Sequence, residues 1–354
     1  MILVYSSTKN LVYSSTCLLV YSKIMQHNIQ LQPYNSFRTK ATAKLFCEPQ
    51  SINELREILQ NFPDEKKLIL GKGCNLFFTK DFDGLVIKPA LHGINILSET
   101  DDFVEIEVGA AEDWDSFVAN CVSIGYAGIE NLSFIPSSVG AAPIQNIGAY
   151  GAEVKDVIVR VKTVDIATGY IVVYNNVACE FGYRDSIFKQ EQRVIITSVV
   201  FRLQKSFVYQ EKYADLNREL EGVTNPTLSQ VRDAVIRVRM RKLPDYNTLP
   251  NAGSFFKNPI LTEEEKEKLL QKLPEAPIYN AENGKYKTSA AHLIDKAGYK
   301  GKRRGNVGTY EHHALIIVNY GTENGGEIRD FMCEIQEKVK CAFGVELEAE
   351  VWVY

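Results

Sequence analysis

The run ILGKGCNLFF, residues 69–78, sets a tight glycine turn between two apolar stretches that read as strands. The Rossmann dinucleotide fingerprint leads from a strand into a helix, so a turn that leads from strand to strand argues against that architecture. Gly71 and Gly73 would let main-chain N–H groups converge on a pyrophosphate without a Cβ in the way. A plain structural turn uses the same residues, and the run by itself leaves both readings open.

Upstream, Ser51 and Glu54 form a capping box ahead of Ile52, Leu55, Ile58 and Leu59, which share one helical face. Residues 68–70 and 85–88 read as strands on either side of the glycine turn. Downstream, Val104, Ile106 and Val108 alternate with Glu105 and Glu107, and Trp114, Phe117, Val118, Cys121 and Val122 then keep helical spacing up to Gly125. Residues 161–173 read as a hairpin around Ala167-Thr168-Gly169, and residues 194–203 as further strand. Leu228, Val231, Val235 and Val238 mark a helix that ends near Leu243-Pro244, a natural domain edge because proline disfavours helix in the residue before it. Beyond it come a capping box at Thr262 and Glu265, a short helix at 290–297 closed by Gly298, a helix carrying Ile328, Phe331, Met332, Ile335 and Val339, and a final strand at 347–354. The expected class is α+β.

Several residues stand out, each with an ordinary explanation beside it. Residues 135–151, IPSSVGAAPIQNIGAYG, are dense in small side chains, which suits either tight backbone packing or a flat cofactor against main chain. Tyr183-Arg184-Asp185-Ser186 reads as a surface turn with a local ion pair, Gly253-Ser254 as a turn or cap, and Glu350 as a solvated edge carboxylate. The basic run from Arg237 to Lys242 places its charges opposite an apolar helical stripe, and most of them are expected to face solvent.

The formal net charge is −4, with Lys and Arg dispersed, so nucleic acid is not an expected partner. Seven cysteines without a Cys-x-x-Cys pair are expected to be reduced cytoplasmic thiols, and the histidines lack metal-ligand spacing. Residues 1–24 repeat LVYSST and LVYS, with serines interrupting every apolar run. Neither a signal peptide nor a membrane span is expected there, and the native start is expected at Met25.

Five segments in this order resemble the UDP-N-acetylenolpyruvoylglucosamine reductase (MurB) family: residues 69–78, ENLSFIPSSVGAAPIQNIGAYGAEV at 130–154, CEFGYRDSIFK at 179–189, KLPDYNTLPNAGSFFKNP at 242–259, and LEAEVWV at 347–353. The resemblance runs from about Leu31 to Tyr354. It implies two FAD-binding subdomains of the PCMH-type flavin fold, residues 25–91 completed by 348–354 and residues 92–244, with a C-terminal α+β substrate-binding domain at 245–347. FVYQEKYADL, at 207–216, resembles the longer class whose tyrosine loop closes over substrate.

The resemblance further implies noncovalent FAD, with Gly71, Gly73 and Asn75 at its pyrophosphate and Ser138, Ile144, Ile147 and Gly148 in the flavin pocket. Arg184, Ser254 and Glu350 match the catalytic positions, and Tyr213, Lys242 and Asn258 match positions that engage the UDP diphosphate or the sugar. NADPH and UDP-N-acetylglucosamine enolpyruvate are the implied ligands of a cytoplasmic monomer. In the implied chemistry Arg184 stabilises an enolate, Glu350 is protonated in the complex, and Ser254 delivers a proton. Three residues depart from the family's pattern: Arg38 where glycine is common, His313 for a frequent glutamine, and Trp352 for a frequent arginine.

Overall fold

The computed structural model describes residues 25–210 and 213–354, so the repeat at 1–24 and two positions of the tyrosine segment lie outside the described residues. The first layer contains β1 (Gln26–Gln30), β2 (Thr42–Cys47), α1 (Ile52–Asn61), β3 (Lys67–Ile69), β4 (Leu76–Phe77) and β5 (Phe82–Ile87). Its sheet runs β1-β2-β5-β3, with β2, β5 and β3 parallel. Leu55, Ile58 and Leu59 of α1 pack on Leu45, Leu85 and Ile87. Ser51 Oγ accepts the Glu54 N–H, but the Glu54 carboxylate takes the Gln50 N–H, so the return half of the expected capping box closes one residue early.

The second layer contains β6 (Ile94–Glu99), β7 (Phe103–Gly109), α2 (Trp114–Ser123), β8 (Gly148–Ala149), β9 (Ala152–Glu153), β10 (Ile158–Asp165), β11 (Ile171–Asn175), α3 (Ile187–Glu191), β12 (Val194–Gln204), α4 (Ala214–Glu219) and α5 (Leu228–Lys242). An antiparallel sheet of order β11-β10-β12-β7-β6 buries Val104, Ile106 and Val108 beneath α2, as alternation in β7 requires. Trp114 and Phe117 meet Phe201 at ring-centroid distances of 5.9 and 5.2 Å. Asp165 Oδ1 accepts the amides of Ala167 and Thr168, which fixes the β10–β11 hairpin where the sequence places it.

The third layer contains β13 (Asn251–Ser254), β14 (Ile260–Leu261), α6 (Glu263–Lys272), β15 (Ile278–Asn280), β16 (Tyr286–Thr288), α7 (Ala290–Lys296), β17 (Arg303–Arg304), β18 (Val307–Tyr310), β19 (His313–Asn319) and α8 (Gly325–Phe343), followed by β20 (Trp352–Val353). The sheet β13-β19-β18-β17 shares a core with α7 and α8. Phe37 and Phe77 of the first layer enter that core against Phe255, with the three centroids 5.4 to 6.0 Å apart. This aromatic triangle fastens the residue next to Ser254 to the first layer.

The single strand expected at 347–354 is divided. Its first half runs antiparallel to residues 255–257, with Lys257 N–H donating to Glu348 O at 2.9 Å and Glu350 N–H to Phe255 O at 2.8 Å. Its second half is parallel to β4, with Trp352 N–H donating to Asn75 O and Tyr354 N–H to Phe77 O, both at 3.0 Å. Both halves are extended and alternate equally well, so sequence pattern cannot locate the exchange of partners. It falls at Glu350 and Val351, between the first and third layers. Among the described residues no helix is long and apolar enough to cross a membrane.

Candidate active site

Glu350 sits at that exchange with its side chain only 12% exposed, which corrects the reading of a solvated edge carboxylate. Its Oε1 accepts from Gln145 Nε2 at 3.2 Å and lies 3.6 Å from Arg184 Nε. The pair Arg184–Glu350 also corrects the expected local ion pair in the 183–186 turn. Arg184 is folded inward in the left-handed region, at φ 55°, and Asp185 instead accepts from Ser186 N–H and Gln190. A non-glycine residue held there costs about 1 kcal/mol or more, so the surrounding contacts must impose the conformation. Arg184 Nη2 donates to Gly148 O at 2.6 Å, and Lys189 Nζ donates to Arg184 O at 3.1 Å. Gly148 is needed here because a Cβ would meet Arg184 Nη1 at 2.9 Å and Ala152 O at 3.0 Å.

Burial raises the Glu350 carboxyl above its ordinary range, opposed by the cations of Arg184, Lys189 and Lys257. Lys189 is itself lowered, by burial first and then by Lys257. Desolvation disfavours charge on both side chains.

Ser254 ends β13, and Phe255 O accepts the Glu350 amide, so Ser254 and Glu350 lie on facing stretches of one antiparallel ladder. Gly253 at φ 70° and a register shift against β19 bend β13 at this point, which corrects the reading of an isolated turn or cap. Ser254 Oγ has no hydrogen-bond partner among the described residues.

The expected cofactor residues gather along the border of the first two layers. None of the amides from Gly71 to Cys74 donates to an acceptor among the described residues, and such a run of free N–H groups forms an anion cradle. A Cβ on Gly71 would stand 3.0 Å from Ser138 Oγ, so the turn faces the small-residue stretch directly. Gly73 is buried at φ 68°, and a Cβ there would fall 1.9 Å from Tyr34 O. Asn75 Nδ2 reaches Gln145 Oε1 at 2.9 Å and Glu350 O at 3.1 Å. Ile147 is buried in the second-layer core with Ile144 packed partly against it, so both support the stretch from behind. Free amides, small residues and no charged side chain in the stretch suit a pyrophosphate joined to a flat ring, and the residues fit FAD.

Of the expected substrate residues, Tyr213 and Lys242 lie together through Asp215, and Asn258 lies beside Tyr183 in the Arg184 turn. Tyr213 packs edge-on against Tyr150 at 5.2 Å, and the Lys242 ammonium pairs with Asp215 two residues beyond Tyr213. Asn258 Oδ1 accepts the Ala290 N–H at the start of α7, and the Asn258 side chain also meets the Tyr183 hydroxyl. His313 is lowered by burial first, then by Lys242 and Lys300, and its Nδ1 accepts the Leu315 N–H. A neutral ring with the proton on Nε2 follows. Trp352 stacks on Tyr354 with Lys189 Nζ 5.9 Å from its ring, while Arg38 adopts φ 57° and donates to Asn247 O at 2.6 Å.

Two positions of this cluster were missed from sequence. Gln145 links Asn75 to Glu350, and its signal was a long amide within a small, apolar stretch, since a buried amide needs partners. Arg239, in the run expected to face solvent, turns inward to Phe134 O at 3.1 Å and toward Tyr150. A separate cavity of about 450 Å³, bounded by Lys66, Lys80, Phe82 and Tyr354, lies outside this cluster.

Comparison with known proteins agrees with this geometry. Residues 43–175 match the FAD binding domain family, and residues 244–354 match the family described as UDP-N-acetylenolpyruvoylglucosamine reductase, C-terminal domain. The chain is 44% identical over 332 residues to a UDP-N-acetylenolpyruvoylglucosamine reductase of Flavobacterium johnsoniae, covering 92% of this chain and 98% of the relative. It is 41% identical to that of Pseudomonas aeruginosa over 335 residues, covering 93% and 99%. The crystal structure of the Thermus caldophilus reductase shares the fold at a TM-score of 0.66 and 22% identity, over 93% of this chain and 99% of that one. The chain belongs to the UDP-N-acetylenolpyruvoylglucosamine reductase family.

Proposed function

We propose that this chain reduces UDP-N-acetylglucosamine enolpyruvate to UDP-N-acetylmuramate with NADPH and noncovalently held FAD, a step of peptidoglycan precursor synthesis. The observation that carries the reading is the meeting of Arg184, Glu350 and the Ser254 strand beside a run of free amides. In this reading residues 25–91 with 348–354, and residues 92–244, clasp FAD, and residues 245–347 form the substrate domain. Gly71, Gly73 and Asn75 hold the pyrophosphate, Ser138 and Gly148 border the ring, and Ile144 and Ile147 contribute to the flavin pocket from behind. Tyr213, Lys242 and Asn258 engage the UDP diphosphate and sugar, and the Lys242 ammonium exchanges Asp215 for phosphate.

FAD, when bound, supplies a hydride derived from NADPH to the terminal carbon of the enolpyruvyl double bond. Negative charge then develops on the carbon beside the substrate carboxylate, and Arg184 stabilises it because a guanidinium stays cationic and meets a carboxylate through paired N–H bonds. A donor placed for that charge is worth about 3 to 4 kcal/mol. An ionised Glu350 would oppose the charge, whereas the neutral acid that burial favours donates a hydrogen bond to it. Ser254 gives its proton to the enolate carbon and completes the reduction.

The same reading has the protein act as a monomer in the cytoplasm, which gel filtration and fractionation of its host would check. Purification followed by spectroscopy tests the reaction: a yellow protein should be bleached by NADPH and regain colour on addition of UDP-N-acetylglucosamine enolpyruvate. Colour that returns only with oxygen would overturn the reading.

A further inference from the structure

Asn75 Nδ2 donates to the main-chain oxygen of Glu350, which can only accept. That bond fixes the orientation of the Asn75 amide, and the same NH2 group faces Gln145 Oε1 at 2.9 Å. The Gln145 amide is fixed in turn and must present Nε2 to Glu350 Oε1, at 3.2 Å. Amide orientations are usually assigned by choosing among networks, but this chain of donors starts at a carbonyl and has one solution. Glu350 Oε1 therefore receives the Gln145 N–H and lies nearest Arg184, at 3.6 Å, while Oε2 takes no hydrogen bond from the described residues.

We infer that Gln145 is a positioning residue which, oriented by Asn75, keeps Glu350 Oε1 as an acceptor and places the carboxyl proton on Oε2. The inference rests on the proposed function only in taking Glu350 as a hydrogen-bond donor during reduction. A carboxylic acid can carry its proton on either oxygen, and a proton on Oε1 would oppose both Gln145 and Arg184. With the proton on Oε2, donation occurs in one direction, away from the Arg184 guanidinium. A donor on Oε1 also favours the ionised form, so Gln145 restrains the rise that burial imposes. The other charged or titratable groups that act on Glu350 are Arg184 and Tyr183 in the turn before α3, Lys189 on α3, Lys257 after β13, and Glu348 on its own segment.

The test uses the FAD-loaded enzyme and Gln145→Met, which keeps the length of the side chain and removes the donor. Gln145→Glu, which sets a second carboxyl against Oε1, serves if the first variant folds poorly. Single-turnover reoxidation by the enolpyruvyl UDP-sugar is expected to slow about 10- to 100-fold, a range typical of small misplacements of a reacting group. Its alkaline limb should move to higher pH, further for Gln145→Glu, while flavin reduction by NADPH stays within about twofold of the parent. An unmoved alkaline limb, or equal slowing of both half-reactions, would overturn the assignment and leave Gln145 a packing residue. Infrared difference spectra give a readout independent of turnover. The protonated-carboxyl band that Glu350→Gln abolishes should shift in Gln145→Met, and an unshifted band would reject the role of Gln145 even if the enolpyruvyl sugar proved not to be the substrate.

Discussion

Arg184 Nη2 donates to the Gly148 carbonyl at 2.6 Å, and a Cβ built on Gly148 would stand 2.9 Å from Arg184 Nη1. The guanidinium thus depends on an absent side chain in the segment expected to border FAD. Gly148→Ala should displace Arg184 and lower kcat with the enolpyruvyl sugar about 10- to 100-fold. Flavin content, read from absorbance, checks that the loss does not come from an empty protein.

Ser254 Oγ is free among the described residues and neighbours Phe255, whose carbonyl accepts the Glu350 amide. Ser254→Ala leaves the aromatic anchor of Phe255 in place and removes one proton. Flavin reduction by NADPH should remain near normal, and reoxidation by the sugar should fall about 10²- to 10⁴-fold. Stopped-flow traces of the two half-reactions separate this outcome from general damage, in which both would slow together.

The strands and helices were legible wherever their cause is local. Alternation in Val104, Ile106 and Val108, the helical spacing of Trp114, Phe117, Val118, Cys121 and Val122, and the Thr262–Glu265 box all act within a few residues. Glu350 was not legible as a buried group, because its environment is built by Gln145, 205 residues away, and by Asn75, 275 residues away. The division of the last strand was hidden for the same reason, since each half is an ordinary extended run and only tertiary partners distinguish them. Arg184 was found through the family's motif, while its left-handed backbone and its pairing with Glu350 came from contacts no local pattern encodes.

Glu350 also determines a pH dependence. Its carboxyl is raised, chiefly by burial, so the neutral form persists to higher pH than in a free side chain and is lost as pH rises through the folded value. Reoxidation by the enolpyruvyl sugar should therefore decline on the alkaline side, while reduction by NADPH keeps a different profile. Glu350→Gln places a permanent N–H donor in the pocket, and its residual reoxidation should lose the alkaline limb. A limb that survives the substitution would assign the titration to another group.

His313 carries the last prediction. Burial and the cations Lys242 and Lys300 lower it, so its neutral form persists to lower pH than in a free histidine. The neutral ring then favours the folded state above the unfolded histidine's value, and this contribution is lost as pH falls through the folded one. In the proposed complex the diphosphate held by Lys242 would reverse the electrostatics, because negative charge near that lysine would favour the imidazolium that the lysines disfavour. The KM for the enolpyruvyl UDP-sugar should consequently fall as pH drops through this titration, and His313→Gln, which cannot titrate, should remove that part of the dependence with kcat little changed. Steady-state KM values for both proteins across the acid range are the check. Parallel profiles would place His313 outside the diphosphate's field.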